Sequence, residues 1–393
     1  MVDDIVGITE AGYQASQLNN IINIKTAEKN LQFGPSKCEY MVVGKNPDCV
    51  VQSKLKVDNW IKEYKEDTNT GEMTLVEYYG GKIDMKETKE YKYLGFIISS
   101  KGDNMANIRK IKQKSIGITR KLLIKLSSLN LKQYFFECAV ILMNAVLQGT
   151  ILHAADMYYD IKETELRHIE RIEEDYMRKV LKTSKGCPIT SLYLTLGQIP
   201  ARFVIAKMRL LFLKYILEQP EESSLSKMLK MQLEKPARGD WASSCRTYIE
   251  KLDLKLTFED IKTIKKREFK QILKEKTREA ALFYLLGKQG KKGKENEYLC
   301  LEMAEYLLPM NNKLTIEQKC EMFAVKNSMI NIQANFSSQS EIKCGCGAKE
   351  DMVHIYECEK YNLLKPEIPF EKIYNGNLTT ISSLQQVCSK LEN

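Results

Sequence analysis

The sequence predicts an α+β fold that is mainly α, and three observations carry that expectation. The first hundred residues alternate apolar runs with turn-forming clusters, as short strands around a helix do. From Asn104 to about Asn335 apolar residues recur almost throughout at helical spacing. From Phe336 onward the chain is loop-rich and gathers cysteines, which predicts a small separate unit.

Taken in order, Ile5 to Ile8 is an apolar run that leads through Gly12 into Tyr13 to Leu31. There Leu18, Ile21, Ile22 and Ile24 keep helical spacing until Gly34-Pro35, so strand, helix and turn are expected. Met41-Val42-Val43 predicts another strand. Lys54 to Lys65 and Met73 to Met85 flank Asp67-Thr68-Asn69-Thr70-Gly71, residue types that favour a turn, and so predict a hairpin. Tyr93 to Ile98 predicts a further strand, stopped by Ser99-Ser100-Lys101-Gly102-Asp103.

The helical region has expected breaks at Gly186-Cys187-Pro188, Gly197 to Pro200, Gln219-Pro220 and Pro236. Phe135 to Gly149 is apolar but short and interrupted by Glu137 and Asn144, which predicts a core helix and no membrane span. Gly287 to Lys294 is low in complexity and predicts a solvated basic linker. Four regions follow: 1–103, 104–218, 219–335 with the linker near 287–294, and 336–393.

The chain has 60 Lys and Arg against 51 Asp and Glu, and a formal charge of +9 identifies no partner by itself. Its distribution is more telling. Between Lys101 and Lys132 stand Arg109, Lys110, Lys112, Lys114, Arg120, Lys121 and Lys125, with Asp103 the only acid. Apolar Ile108, Ile111, Ile116, Leu122, Leu123 and Leu126 are expected to face a core, leaving a basic side that suits a phosphate backbone. Lys262 to Arg278 is also basic, but Glu268 and Glu275 interrupt it, which predicts an exposed helix with paired charges. The opening Met1-Val2-Asp3-Asp4 lacks the basic-then-apolar pattern of a secretion signal, so an intracellular protein, nuclear or cytoplasmic and not secreted, is expected.

Two further motifs carry chemistry. Cys344-Gly345-Cys346-Gly347, His354 and Cys358 offer three thiolates and an imidazole, a set suited to tetrahedral Zn2+. His354 and Cys358 share a helical face at their spacing of four, and the glycines let the preceding loop curl. Asp3 and Asp4 at the head of an apolar run are adjacent carboxylates of the kind that hold divalent metals, although the same pair also suits a solvated terminus.

Following Asp3-Asp4 come Leu31-Gln32-Phe33-Gly34 with Lys37-Cys38, and then Lys92-Tyr93-Leu94-Gly95-Phe96 running into a strand. That order, continued by a helical region and a Cys-Cys-His-Cys cluster, resembles the late blocks of non-LTR retrotransposon reverse transcriptases, over nearly the whole chain. The resemblance implies a partial palm sheet, a helical thumb and a zinc knuckle. It implies that Asp3 and Asp4 are the metal-binding pair, that Tyr93, Leu94 and Gly95 form the primer grip, and that Lys37 lies near the phosphates. It implies that Cys344, Cys346, His354 and Cys358 are the knuckle ligands.

The implied activity is RNA-directed DNA polymerisation, with RNA or DNA as partner and Mg2+ held only by a complete palm. Because the family's first catalytic aspartate and its fingers lie upstream of the matched blocks, the expectation is a chain that does not polymerise alone. Two other readings stay open at this point: a non-catalytic nucleic-acid-binding protein derived from such an element, and a helical interaction scaffold.

Overall fold

A computed structural model of the 393-residue chain describes residues 8, 12–28, 38–42, 55–66, 73–93, 95–129, 131–158, 161–236, 239–289, 302–304, 307–308, 315–326 and 346. It divides into two compact units, Met1–Lys110 with Tyr159–Ile161, and Ile111–Tyr158 with Lys162–Asn393. The fold is α+β and mainly α.

In the first unit α1 (Gly12–Glu28) precedes strands β1 (Glu39–Tyr40), β2 (Lys56–Glu66), β3 (Met73–Asp84), β4 (Lys86–Glu87), β5 (Glu90–Tyr93) and β6 (Phe96–Ser99). They pair as three two-stranded sheets, β1 with β4 parallel, and β2 with β3 and β5 with β6 antiparallel. The hairpin expected around 67–71 is the β2–β3 ribbon, in register from Lys56 opposite Asp84 to Glu66 opposite Met73, with an irregularity between Asp58 and Trp60. Helix α1 meets β2 through amides: Asn19 and Asn23 both donate to the Lys56 carbonyl, at 2.7 and 3.2 Å. That polar docking buries Asn23 and Thr26 while Ile21 and Ile24 are exposed. The apolar spacing marked the helix but not its packed face.

Two strand expectations are corrected. The ladder of β1 ends at Tyr40, so Met41 and Val42 lie beyond it, and Val43 is outside the described residues. Tyr93 to Ile98 is not one strand but the tip of a hairpin, with Tyr93 paired to Phe96. Gly95 has φ +89°, a left-handed value that side chains disfavour, and it lets the chain reverse there.

Helix α2 (Met105–Ser128) begins in the first unit and continues in the second. Next come α3 (Phe135–Leu142), a π-helical segment Met143–Leu147 and α4 (Gln148–Ile151). This is the helix expected over 135–149; it buries Phe136, Ala139, Met143 and Leu147 and exposes Ile141. The remaining helices are α5 (Glu163–Val180), α6 (Ile189–Thr195), α7 (Ala201–Leu217), α8 (Ser224–Glu234), α9 (Trp241–Lys251), α10 (Phe258–Thr263), α11 (Lys266–Gln289) and α12 (Ile316–Lys326). The expected breaks fall between α5 and α6, α6 and α7, α7 and α8, and after α8. Among the described residues no helix is long and apolar enough to cross a membrane.

Helix α7 is the axis of this unit. Ile205, Ala206, Leu210 and Leu213 are buried, and α5, α8, α9, α10 and α11 pack on it. Since these partners lie on both sides of residue 218, the unit runs through the boundary expected there. Gly197, at φ +62°, turns the chain into α7 where Leu196 bridges Met303. A Cβ there would stand 2.7 Å from the Met303 nitrogen, so only glycine fits. Helix α11 continues through Gln289, so Gly287, Lys288 and Gln289 of the expected linker are helical; 290–294 lie outside the described residues.

Candidate nucleic-acid interface

Helix α2 forms because its sequence, free of proline and of acidic residues, repeats apolar or small residues every three to four positions. Ile108, Ile111, Ser115, Thr119, Leu122 and Leu126 are buried along one stripe. The expected apolar set is right except at Ile116, which is 62% exposed. It falls about 100° around the helix from Ser115, off the stripe, and the small Ser115 and Thr119 take the inward places. Leu123 is half-buried at the margin.

Off that stripe, Lys112, Lys114, Arg120, Lys121 and Lys125 are all exposed, and none makes an ion pair with a described residue. Five like charges within fourteen residues, without a carboxylate on the same helix, create a strongly positive surface. Arg109 and Lys110 behave differently. Arg109 pairs with Glu90 at 2.9 Å, and the Lys110 ammonium donates to the Gly95 carbonyl at 2.6 Å. With the Ile97 N–H donating to Asn107 Oδ1 at 3.4 Å, they tie the first turns of α2 to the β5–β6 hairpin. Tyr93 is half-buried in that hairpin, and Gly95 is its turn.

The buried carboxylates of α5 were not singled out by sequence reasoning. Glu170, Glu173 and Glu174 are 1%, 0% and 2% exposed. Arg202 of α7 forks onto Glu170 and Glu163, Arg167 reaches Glu170 and Glu174 at 2.9 and 3.0 Å, and Arg178 reaches Glu174 at 3.4 Å. Burial would lower the Arg202 pKa, but hydrogen bonds to Glu170 and Glu163 raise it above the ordinary arginine range. Glu173 faces no arginine; it accepts from Gln148 Nε2, the Tyr193 hydroxyl and the Ala201 N–H, each at 3.0 Å. Burial pushes its carboxyl up to about 8 against those three donors. These oxygens are committed to internal donors, so the cluster packs α5 against α4, α6 and α7 rather than holding a cation. The ladder Arg167, Glu170, Glu174, Arg178, at spacings of three and four, was the visible sign of it.

Asp3, Asp4, Lys37, Leu94, Cys344, His354 and Cys358 lie outside the described residues; Cys346 is described and exposed. Among the described residues no group of three or more His, Cys, Asp and Glu could hold a metal ion. His153 is exposed and His168 half-buried. Cys187 and Cys245 are buried, which pushes both thiols up to about 12 and leaves them poor nucleophiles. Comparison with protein-family models, with curated proteins and with solved structures finds no match.

Proposed function

We propose that this chain is the late-palm and thumb portion of an RNA-directed DNA polymerase of the non-LTR retrotransposon class, and that it holds a nucleic-acid duplex by its phosphates on the basic face of α2. The ordered sequence blocks suggest the family. The observation that carries the binding role is the set of five exposed cations, Lys112, Lys114, Arg120, Lys121 and Lys125, that no described carboxylate neutralises. Such a surface positions a duplex without reading its bases. The knuckle at Cys344, Cys346, His354 and Cys358, with Zn2+, adds a second contact on this reading, and Mg2+ belongs to the palm carboxylates.

Binding of a labelled duplex to the full chain, followed by anisotropy against salt, tests it. Five phosphate contacts on α2 contribute about −4.5 to the slope of log affinity against log salt, a roughly 500-fold weakening between about 50 and 200 mM from this face alone. Replacing all five cations with glutamine should take that contribution out of the slope while the melting temperature stays put, because each side chain is exposed. A five-glutamine variant that binds like the wild type, with the same slope, would overturn the proposal.

A further inference from the structure

One pair of the expected kind is present on α11, Lys276 with Glu279, but most of the helix's charges are segregated. At about 100° per residue, Lys266, Arg267, Lys270 and Lys274 fall on one flank, and Glu268, Glu275 and Glu279 fall on another. Two of these three carboxylates are also engaged elsewhere: Glu275 accepts from Gln271, and Glu279 pairs with Lys276 at 2.8 Å. Lys262 and Lys265 extend the basic flank across the α10–α11 corner. All six cations are exposed, and none makes an ion pair with a described residue.

This arrangement has a local cost. Lys266, Lys270 and Lys274 repeat at i, i+4, i+8, where like charges repel, and Lys266 and Arg267 sit in the first turn, at the positive end of the helix dipole. The corner is nonetheless held rigidly. The buried Lys214 ammonium donates to the carbonyls of Ile261 at 2.9 Å and Ile264 at 2.6 Å, closing the end of α10. A fixed corner that carries uncompensated like charges is organised for an anionic partner.

We propose that Lys262, Lys265, Lys266, Arg267, Lys270 and Lys274 form a second nucleic-acid surface, which binds a phosphate backbone independently of α2. It shares with the proposed function only the reading that the chain's partner is nucleic acid. The row from Lys266 to Lys274 is about 12 Å long, enough to lie along three or four phosphates of one strand. A membrane surface fits less well. Phe269 and Leu273 are buried, and the exposed Phe283 projects from the opposite side of the helix, so no apolar row borders the cations.

The test uses the full chain in four forms: wild type, the five-glutamine α2 variant, K266Q/R267Q/K270Q/K274Q, and both sets combined. Duplex binding is measured against salt, with phosphatidylserine vesicles as a parallel probe. The α11 variant is expected to lower the magnitude of the duplex slope by about 3.6 in both backgrounds. Residual binding in the α2 variant should disappear in the combined form.

An α11 variant that binds duplex like the wild type in both backgrounds overturns the second surface, and leaves the α2 interface standing if the α2 variant has lost binding. An α2 variant with wild-type binding, beside an α11 variant that has lost it, overturns the α2 interface and keeps this one. Loss of vesicle binding with intact duplex binding would assign the flank to lipid headgroups and overturn it as a nucleic-acid site.

Discussion

Glu173 contributes a pH dependence to the second unit's stability. The side chain is fully buried, and burial lifts its pKa from 4.5 to about 8, more than the Gln148, Tyr193 and Ala201 donors lower it. Between those values the folded chain keeps a proton that the unfolded chain releases, so stability is fully present below pH 4.5 and is lost as pH rises through 8. The slope approaches about 1.4 kcal/mol per pH unit, and over the whole window the change is on the order of 5 kcal/mol. Glu173→Gln removes the titration. Its amide oxygen still accepts from Tyr193 and Ala201, and Gln148 need only rotate its own amide to receive the new N–H.

The variant should therefore match the wild type within about 1 kcal/mol near pH 5 and exceed it progressively toward pH 8. Denaturant unfolding with tryptophan fluorescence measures this. The chain has two tryptophans, so Trp60→Phe in both proteins leaves Trp241 of α9 as a reporter for this unit alone. Every other titrating group is common to both proteins and cancels in the difference. A gap that stays flat, or that favours the wild type as pH rises, would show that the three donors hold an ionised carboxylate and would refute the reasoning.

Arg202→Ala strips Glu170 of its forked partner and leaves a buried carboxylate with Arg167 alone, which should cost about 3–5 kcal/mol in the same unfolding assay. Arg202→Lys should recover only part of that loss, because an ammonium cannot bridge Glu163 and Glu170 as the guanidinium does. In the first unit, the β2–β3 ribbon exposes Met73, Leu75, Tyr78, Tyr79 and Ile83, and two-stranded sheets are marginal alone. Brief digestion with chymotrypsin, followed by mass spectrometry, should cut within residues 56–84 before it cuts α5 or α7; prior cleavage in those helices would contradict this ordering.

What the sequence made legible is what depends on neighbouring residues. The breaks at Gly186–Pro188, Gly197–Pro200 and Gln219–Pro220 act through local backbone preferences and fall between helices, and the segment 67–71, outside the described residues, lies between the paired strands β2 and β3. Periodicity located α2 and most of its buried stripe. It failed at Ile116, because the stripe is set by angular position and small polar residues can occupy it as well as large apolar ones. Tyr93 to Ile98 looked like one strand because five of six residues suit a strand, whereas the reversal hangs on the dihedral of Gly95 alone.

The buried network of α5 was harder still to read, since Glu-rich segments usually face water. What makes these glutamates internal is Gln148, Tyr193 and Arg202, twenty or more residues away, brought close only when α4, α6 and α7 pack. The α10–α11 flank fails for the opposite reason. Along the sequence Glu268 and Glu275 interrupt its bases and look paired with them; wound into a helix, they separate onto a different side from Lys266, Arg267, Lys270 and Lys274. Interleaving along the sequence is thus a poor guide to pairing on a helical surface. The angular distribution of the charges distinguishes a solvated face from one that can follow a phosphate backbone, and on that criterion α11 stands beside α2.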